Sequence, residues 1–284
     1  MLTVLAYAKI NLSLEVLNRR DDKYHEIVSV MQTVNLYDVL KFELSDTICL
    51  KSTCIHIDDS NNLVVKAAKL LQSKTGTTKG VSINLNKKIP LSAGLGGGSS
   101  DAAATLNALN VLWNLNLPYD NLMAMASELG SDVPFFIHGG TAFVYGRGES
   151  VKRLKVNDLW KMVILSPTID IPGKTARLYG KLNQEHFTKG LLTRKLKSRI
   201  LGGGDVPPQL LFNVFEGVAF EAFTELKHYW DTFHYAGARE IHLVGSGPSM
   251  FAPVMSESEG FKLQSALRHV YGWEAYLVDA IQPM

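Results

Sequence analysis

The chain is poor in cysteine, in charge of one sign and in uninterrupted apolar sequence, and each shortage removes a class of protein. Only two of its 284 residues are cysteines, Cys49 and Cys54. Two thiols cannot build the disulfide framework of a small secreted domain, and a C-x4-C pair without a second pair is a poor zinc site. They read as structural thiols in a reducing compartment. No apolar run approaches the ~20 residues that cross a bilayer. The N-terminal MLTVLAYAKINLSLEVL has no basic residue ahead of its apolar stretch, and Lys9 and Asn11 interrupt it, so it reads as strand and not as an export signal. Lys+Arg number 29 and Asp+Glu 27, for a net charge of +2. That balance gives no reason to expect nucleic acid or a membrane as partner. The default expectation is a soluble, cytoplasmic protein. At 46% hydrophobic and 20% charged residues the composition is ordinarily globular, with room for two domains.

The first half is strand-rich with helices inserted. Leu2–Ala8, Leu12–Leu17, Ile27–Leu36, Val39–Leu44 and Ile48–Ile57 have strand character. Leu63, Val64, Ala67, Ala68 and Leu71 share a helical face behind Asn62, a candidate N-cap. Val81–Leu85 alternates again. A helix is expected near Asn121–Leu129 and a strand over Thr141–Tyr145. A second unit begins near Val151, with a strand over Trp160–Ser166 and the breaker GGGDVPP at Gly202–Pro208. One long helix is expected from about Gln209 to Tyr229, then strands Ile241–Val244 and Met250–Val254, a helix Ser256–Val270 and a closing strand Trp273–Val278. This β–α–β–β–α–β order suggests α+β layers with a split βαβ arrangement. No internal repeat is present.

Pro90–Ser100, PLSAGLGGGSS, is the most glycine-dense stretch. Behind it Ala102, Leu106, Leu109 and Trp113 step by 4, 3 and 4 along one helical face. Glycines let backbone N–H groups converge on an anion, and the helix that follows adds unpaired donors and its dipole. A Walker A loop is excluded because no Gly-Lys-Ser/Thr follows at the required spacing, and no acidic residue completes a dinucleotide fingerprint. The plainer alternative is a flexible turn with a serine N-cap. Asp101 is awkward in a phosphate site unless Mg²⁺ lies between or the side chain points away. No hydrolase elbow stands in a strand-to-helix context, and the histidines show no metal-ligand spacing.

This loop resembles the phosphate-binding motif of the GHMP kinases, the superfamily of galactokinase and the homoserine, mevalonate and phosphomevalonate kinases. HLVGSGPS at His242–Ser249 is similar to its C-terminal glycine-rich motif, and AYAKINL at Ala6–Leu12 to its N-terminal one. AKINLSLEVLNRRDDKYHEI, GLGGGSSDAAATLNALN and LGSDVPFF resemble one member, whose alcohol substrate is a methylerythritol linked to cytidine diphosphate. The resemblance runs from about Leu5 to the C-terminal strand and is weakest between Lys181 and Gln209.

The resemblance implies an α+β, two-domain GHMP kinase fold. Residues 1–152 would form the N-terminal nucleotide-binding domain (ribosomal protein S5 domain 2-like), and 153–284 a C-terminal ferredoxin-like α/β-sandwich for substrate. It implies ATP- and Mg²⁺-dependent phosphorylation of a small-molecule substrate's tertiary 2-hydroxyl, by a monomer or weak homodimer, in the non-mevalonate isoprenoid route. Asp132, in GSDVP, becomes the candidate base, although helix capping is the plainer job for such a residue. Lys9 becomes its partner, near base and hydroxyl in the family. An ammonium there lowers the carboxylate's pKa, so orientation should outweigh basicity.

For the nucleotide, the matching residues are Asn62 on the adenine side, Lys87 or Lys88, and the loop residues Pro90, Gly94, Leu95, Gly96, Gly97, Gly98, Ser99 and Ser100, with Ser100 also placed on Mg²⁺. For the substrate they are Asn11, Tyr24, His25, Thr175, Tyr179, Gly245 and Ser246, the aromatic residues being expected to hold cytosine. Gly245–Ser249 is also expected to be a tight turn that shapes the loop. No role is assigned to Asn213-Val214-Phe215-Glu216. Another GHMP kinase, of homoserine or mevalonate type, would have no base for Tyr24, His25 and Tyr179 to stack on. A silent nucleotide-binding regulator would not require both Lys9 and Asp132.

Overall fold

The computed structural model describes residues 1–53, 61–156, 160–204 and 206–282. Its elements run β1 (Leu2–Arg19), β2 (His25–Ser45), β3 (Ile48–Ser52), α1 (Leu63–Thr75), β4 (Gly80–Asn86), α2 (Gly97–Leu112), α3 (Tyr119–Leu129), α4 (Val133–His138), β5 (Thr141–Gly146) and β6 (Ser150–Leu154). They continue β7 (Lys161–Ser166), α5 (Lys174–Lys181), α6 (Leu191–Leu201), β8 (Phe212–Asn213), α7 (Glu216–Ala222), α8 (Glu225–Tyr235), β9 (His242–Leu243), β10 (Met250–Val254), α9 (Glu257–Ser265) and β11 (Glu274–Asp279). Cys54, the end of the strand expected to reach Ile57, and Asp205 of the breaker lie outside the described residues; Cys49 is an exposed thiol. No described helix is long and apolar enough to cross a membrane.

Two compact units are interleaved along the chain and do not follow a single cut. The first comprises Met1–Ala8, Leu36–Leu91 and Gly96–Gly139. Here β4 lies antiparallel to Val39–Ser45 of β2 and parallel to β3. Val81, Ile83 and Leu85 alternate inward and are buried, as the period-2 pattern requires. The core they enter also holds Val64, Ala67, Ala68 and Leu71 of α1 and Ala102, Leu106 and Leu109 of α2. Trp113 closes the end of α2. Its indole N–H donates to the Gly80 carbonyl at 3.2 Å, and the Lys79 ammonium donates to its carbonyl at 2.6 Å.

The second unit comprises Lys9–Asn35, Ser92–Leu95 and Gly140–Met284. Ile27–Gln32 of β2 pairs antiparallel with β5, and β5 with β6. Ser13 and Leu14 of β1 run parallel to Phe212 and Asn213 of β8. A separate four-stranded sheet has the order β11-β7-β10-β9 with antiparallel neighbours. This is the split βαβ arrangement expected of the second half. Val163, Leu165, Phe215, Phe233, Leu243 and Met250 are buried together in its core.

Three expectations need correction. Ile27–Leu36 and Val39–Leu44 are not two strands but one, β2, continuous from His25 to Ser45. Lys9 and Asn11 do not divide the first strand, because β1 is continuous from Leu2 to Arg19. Both side chains are buried, and they satisfy each other instead of ending the strand. The long helix over 209–229 does not form either. It gives way to β8, α7 and α8. Val214 donates its backbone N–H to Leu14, which holds the segment extended, and Phe223 leaves helical geometry at φ −141° and ψ 82°.

Phe42, which is 0% exposed in the first core, anchors β2 there. Phe42→Ala should destabilise the protein by about 3–5 kcal/mol through lost burial and an unfilled cavity. Urea unfolding checks this, and a loss under about 1 kcal/mol would mean that the core refills.

Candidate active site

In the first unit the glycine-rich sequence becomes the start of α2. Gly96 occupies the N-cap position at φ +74° with no side-chain cap, so the first-turn N–H groups at Gly97, Gly98 and Ser99 are not spent on a capping side chain. A Cβ at Gly97 would stand 3.0 Å from the Ile89 side chain and 3.2 Å from Lys87 Nζ. Glycine there lets the turn sit on its floor without a clash. Gly98 is exposed, Ser99 half-buried and Ser100 buried. The geometry suits an anion held by backbone donors at a helix N-terminus. The hydroxyls of Ser99 and Ser100 are the hard oxygen donors beside it, of the kind Mg²⁺ prefers. Among the described residues no cluster of three His, Cys, Asp or Glu could hold a metal ion.

Asp101 is not a phosphate neighbour of the repelling kind. Its carboxylate turns inward and accepts from Lys87 Nζ at 2.8 Å. Burial pushes the Asp101 carboxyl up to about 7, with Lys87 opposing the rise and Asp38 adding to it. Lys87 therefore sits beneath the loop between two carboxylates, whereas Lys88 is exposed and lies 5.5 Å from the centroid of the Tyr37 ring. Asn62 does cap α1. Its Oδ1 accepts the Val64 N–H at 2.8 Å. Asp132 is half-buried at the N-cap position of α4, but its carboxylate makes no capping bond, so capping does not account for it.

In the second unit Lys9 begins a buried polar chain on one face of β1. Its Nζ donates to Asn11 Oδ1 at 2.8 Å, Asn11 Nδ2 to Ser29 Oγ at 2.9 Å, and Ser29 Oγ to the Ser13 carbonyl at 2.6 Å. Residues 92–95 are pinned by backbone bonds, with Lys9 N–H donating to the Leu95 carbonyl at 2.9 Å and Ser249 N–H to the Ala93 carbonyl at 3.1 Å. The Gly245–Ser249 turn thus grips the chain leading into the loop. At Gly245 (φ +56°) a Cβ would lie 3.1 Å from Lys9 Nζ, so this approach also requires glycine.

The cytosine candidates divide. His25 stacks on Tyr179 with centroids 4.8 Å apart and 22° between planes, and Tyr179 meets Phe215 edge-on at 4.9 Å. Burial lowers the His25 pKa, helped by the charge of Arg19. Tyr24 is 53% exposed, with the Arg147 guanidinium 4.8 Å from its ring centroid. Thr175 and Ser246 are brought together, their hydroxyls 2.7 Å apart. Lys174 joins them, donating to Ser246 Oγ at 3.2 Å.

Sequence reasoning passed over Asn213 and Glu216. Asn213 is buried, and its Nδ2 donates to the carbonyls of Leu243 at 2.9 Å and Gly245 at 2.8 Å. Glu216 Oε1 accepts the Leu243 N–H at 2.9 Å. The one available signal was an amide standing inside an apolar stretch, LLFNVF.

Comparison with known proteins gives the class and then the member. Residues 62–140 match the family described as GHMP kinases N terminal domain. A crystal structure of homoserine kinase from Cytophaga hutchinsonii shares the fold at TM-score 0.74 with 20% identity, covering 99% of this chain and 94% of that one. The 4-diphosphocytidyl-2-C-methyl-D-erythritol kinase of Dehalococcoides mccartyi is 45% identical over 286 residues, covering 100% of both chains. The enzyme of the same name from Thermodesulfovibrio yellowstonii is 39% identical, covering 99% of this chain and 98% of its own. A crystal structure of 4-(cytidine 5'-diphospho)-2C-methyl-D-erythritol kinase superposes at TM-score 0.82 with 33% identity, covering 98% of each chain. The chain belongs to the 4-diphosphocytidyl-2-C-methyl-D-erythritol kinase family of the GHMP kinases, and it is an ATP-using kinase.

The Asp101 shift has a consequence for stability. A carboxyl whose pKa rises on folding, from 3.8 to about 7, favours folding while protonated. That contribution is complete below about pH 4 and is lost as pH rises through about 7. Asp101→Asn should therefore flatten the fall in unfolding free energy between pH 5 and 8, followed by urea denaturation. An unchanged slope would place the buried proton elsewhere.

Proposed function

We propose that the chain transfers the γ-phosphoryl group of ATP to the 2-hydroxyl of 4-diphosphocytidyl-2-C-methyl-D-erythritol, giving the 2-phosphate and ADP, in the non-mevalonate route to isoprenoids. The observation that carries this reading is identity of 39–45% with kinases of that name along essentially the whole chain. A kinase that shared only the fold would resemble them far less evenly.

The alcohol oxygen forms a bond to the γ-phosphorus as the bridging bond to ADP breaks, and the hydroxyl proton must leave. Asp132 takes that proton. Such acid–base help is typically worth about 10²–10⁴-fold. Lys9 supplies a fixed positive charge, oriented through Asn11 and the Ser29 hydroxyl. Gly96–Ser100, flanked by Pro90, Gly94 and Leu95, presents backbone donors to the phosphates, and Asn62 lies on the adenine side. Mg²⁺, when bound, offsets phosphate charge, with Ser99 or Ser100 as the protein ligand. A tertiary alcohol is crowded, so in-line positioning carries much of the rate.

Recognition of the nucleotide end of the alcohol falls to the second unit. Tyr179, one helical turn beyond Thr175 on α5, offers its face to cytosine, with His25 and Tyr24 beside it. His25 must leave its stack on Tyr179 or share the other ring face, because centroids 4.8 Å apart leave no gap for a base. Thr175, Ser246 and Lys174 form a hydroxyl and ammonium cluster suited to the diphosphate. Remote binding of this kind positions the reacting end.

ADP formation should be seen with the CDP-linked alcohol and not with the same polyol phosphate lacking cytidyl, with homoserine or with mevalonate. Turnover of one of the others instead would sink the substrate assignment. Asp132→Ala should cut kcat by about 10²–10⁴-fold with little change in ATP affinity; wild-type turnover in that variant would remove Asp132 as base. Tyr179→Ala should raise KM for the CDP-linked alcohol about tenfold, the worth of one base stack, and leave KM for ATP unchanged.

A further inference from the structure

Three chain segments converge beneath the start of α2, and one ammonium joins them. Lys87 leaves the end of β4 with its side chain only 8% exposed. Its Nζ donates to Asp38 Oδ2 on β2 at 2.5 Å and to Asp101 Oδ2 on α2 at 2.8 Å. Asp38 Oδ1 accepts the backbone N–H groups of Lys88 at 2.5 Å and Ile89 at 2.9 Å, which fixes the chain just before the loop. Asp101 Oδ1 is buried and has no hydrogen-bond partner. Lys87 Nζ lies 3.2 Å from where a Cβ would stand on Gly97, the first residue of the helix.

We propose that Lys87 is a positioning residue for the nucleotide phosphates. It acts through Asp101 on the first turn of α2 and does not touch the nucleotide. This rests on the reading of Gly96–Ser100 as the ATP phosphate site. To reach a phosphate, the ammonium would have to abandon two buried carboxylates. Leaving like charges buried without their counter-ion is strongly unfavourable, more so than a solvent-facing contact would repay. Where it stands, it locks the turn that aims the Gly97, Gly98 and Ser99 N–H groups. Asp101 lies one turn beyond Gly97, so the pull of Lys87 on its carboxylate sets the tilt of that turn. Two carboxylates against one ammonium also explain why a lysine, and not a smaller polar residue, occupies the floor of the loop.

The test measures ATP binding by calorimetry, with steady-state kinetics, for the wild type, Lys87→Met, Asp101→Asn and the double variant. Lys87→Met should weaken ATP binding about tenfold or more, and raise KM for ATP more than it lowers kcat. Affinity for the CDP-linked alcohol should hold within about twofold, which a general loss of structure would not allow. The double variant lacks the same Lys87–Asp101 bond and should bind ATP no more weakly than Lys87→Met alone, because the two losses are one. Losses that multiply in the double variant would mean that Lys87 contacts the nucleotide independently of Asp101 and would overturn the proposal. If Lys87→Met does not fold, Asp101→Asn with Lys87 intact decides. Its ATP affinity should fall several-fold, and wild-type affinity there would overturn the proposal equally. A wild type that binds no ATP would remove the phosphate-site reading itself, an outcome distinct from either.

Discussion

The second unit depends on backbone meeting backbone at residues 92–95. The Leu95 carbonyl takes the N–H of Lys9, and the Ala93 carbonyl takes that of Ser249. Between them a Cβ at Gly94 would come within 2.2 Å of the Val244 carbonyl oxygen. Side chains are excluded from this seam, so the first glycine of the motif is a packing requirement. Asn213 and Glu216 hold the opposing turn by its carbonyls and an N–H. Lys9 and Ser249, 240 positions apart in sequence, thus serve one short stretch of main chain.

Charge is handled by the same logic of enclosure. Lys9 is buried and the Lys87 side chain nearly so, and each is oriented by short side-chain bonds, Lys9 by an amide and Lys87 by two carboxylates. A buried ammonium is costly unless satisfied, and once satisfied it is rigid. Rigid charges suit phosphoryl transfer, in which the protein contributes mainly position and electrostatic field.

Much of this was legible in the residues. The step of 4, 3 and 4 from Ala102 to Trp113 marked α2, and all four residues are buried. Asn62 proved to be an N-cap. The four motifs together named the family. Other features were not legible, for identifiable reasons. A lysine and an asparagine inside an apolar run read as a strand break, because their mutual satisfaction is invisible in one dimension. The helical spacing over 209–229 was overridden by the parallel pairing of Phe212 and Asn213 with Ser13 and Leu14. Asp101 was awkward beside phosphate unless it pointed away, and only its partner Lys87, 14 residues away in sequence, shows that it does.

By itself the sequence determined the class of chemistry. Its motifs are local, and glycine spacing, turn residues and amphipathic period follow from bond geometry within a few residues. Only the tertiary structure decided what each polar side chain does. It sent Asp101 inward, set Lys87 beneath the loop, stacked His25 on Tyr179 and gave Asn213 a turn to hold. Those assignments depend on partners 14 to 154 positions distant, and burial decides them, because a polar group removed from water must take whichever partner folding brings within reach.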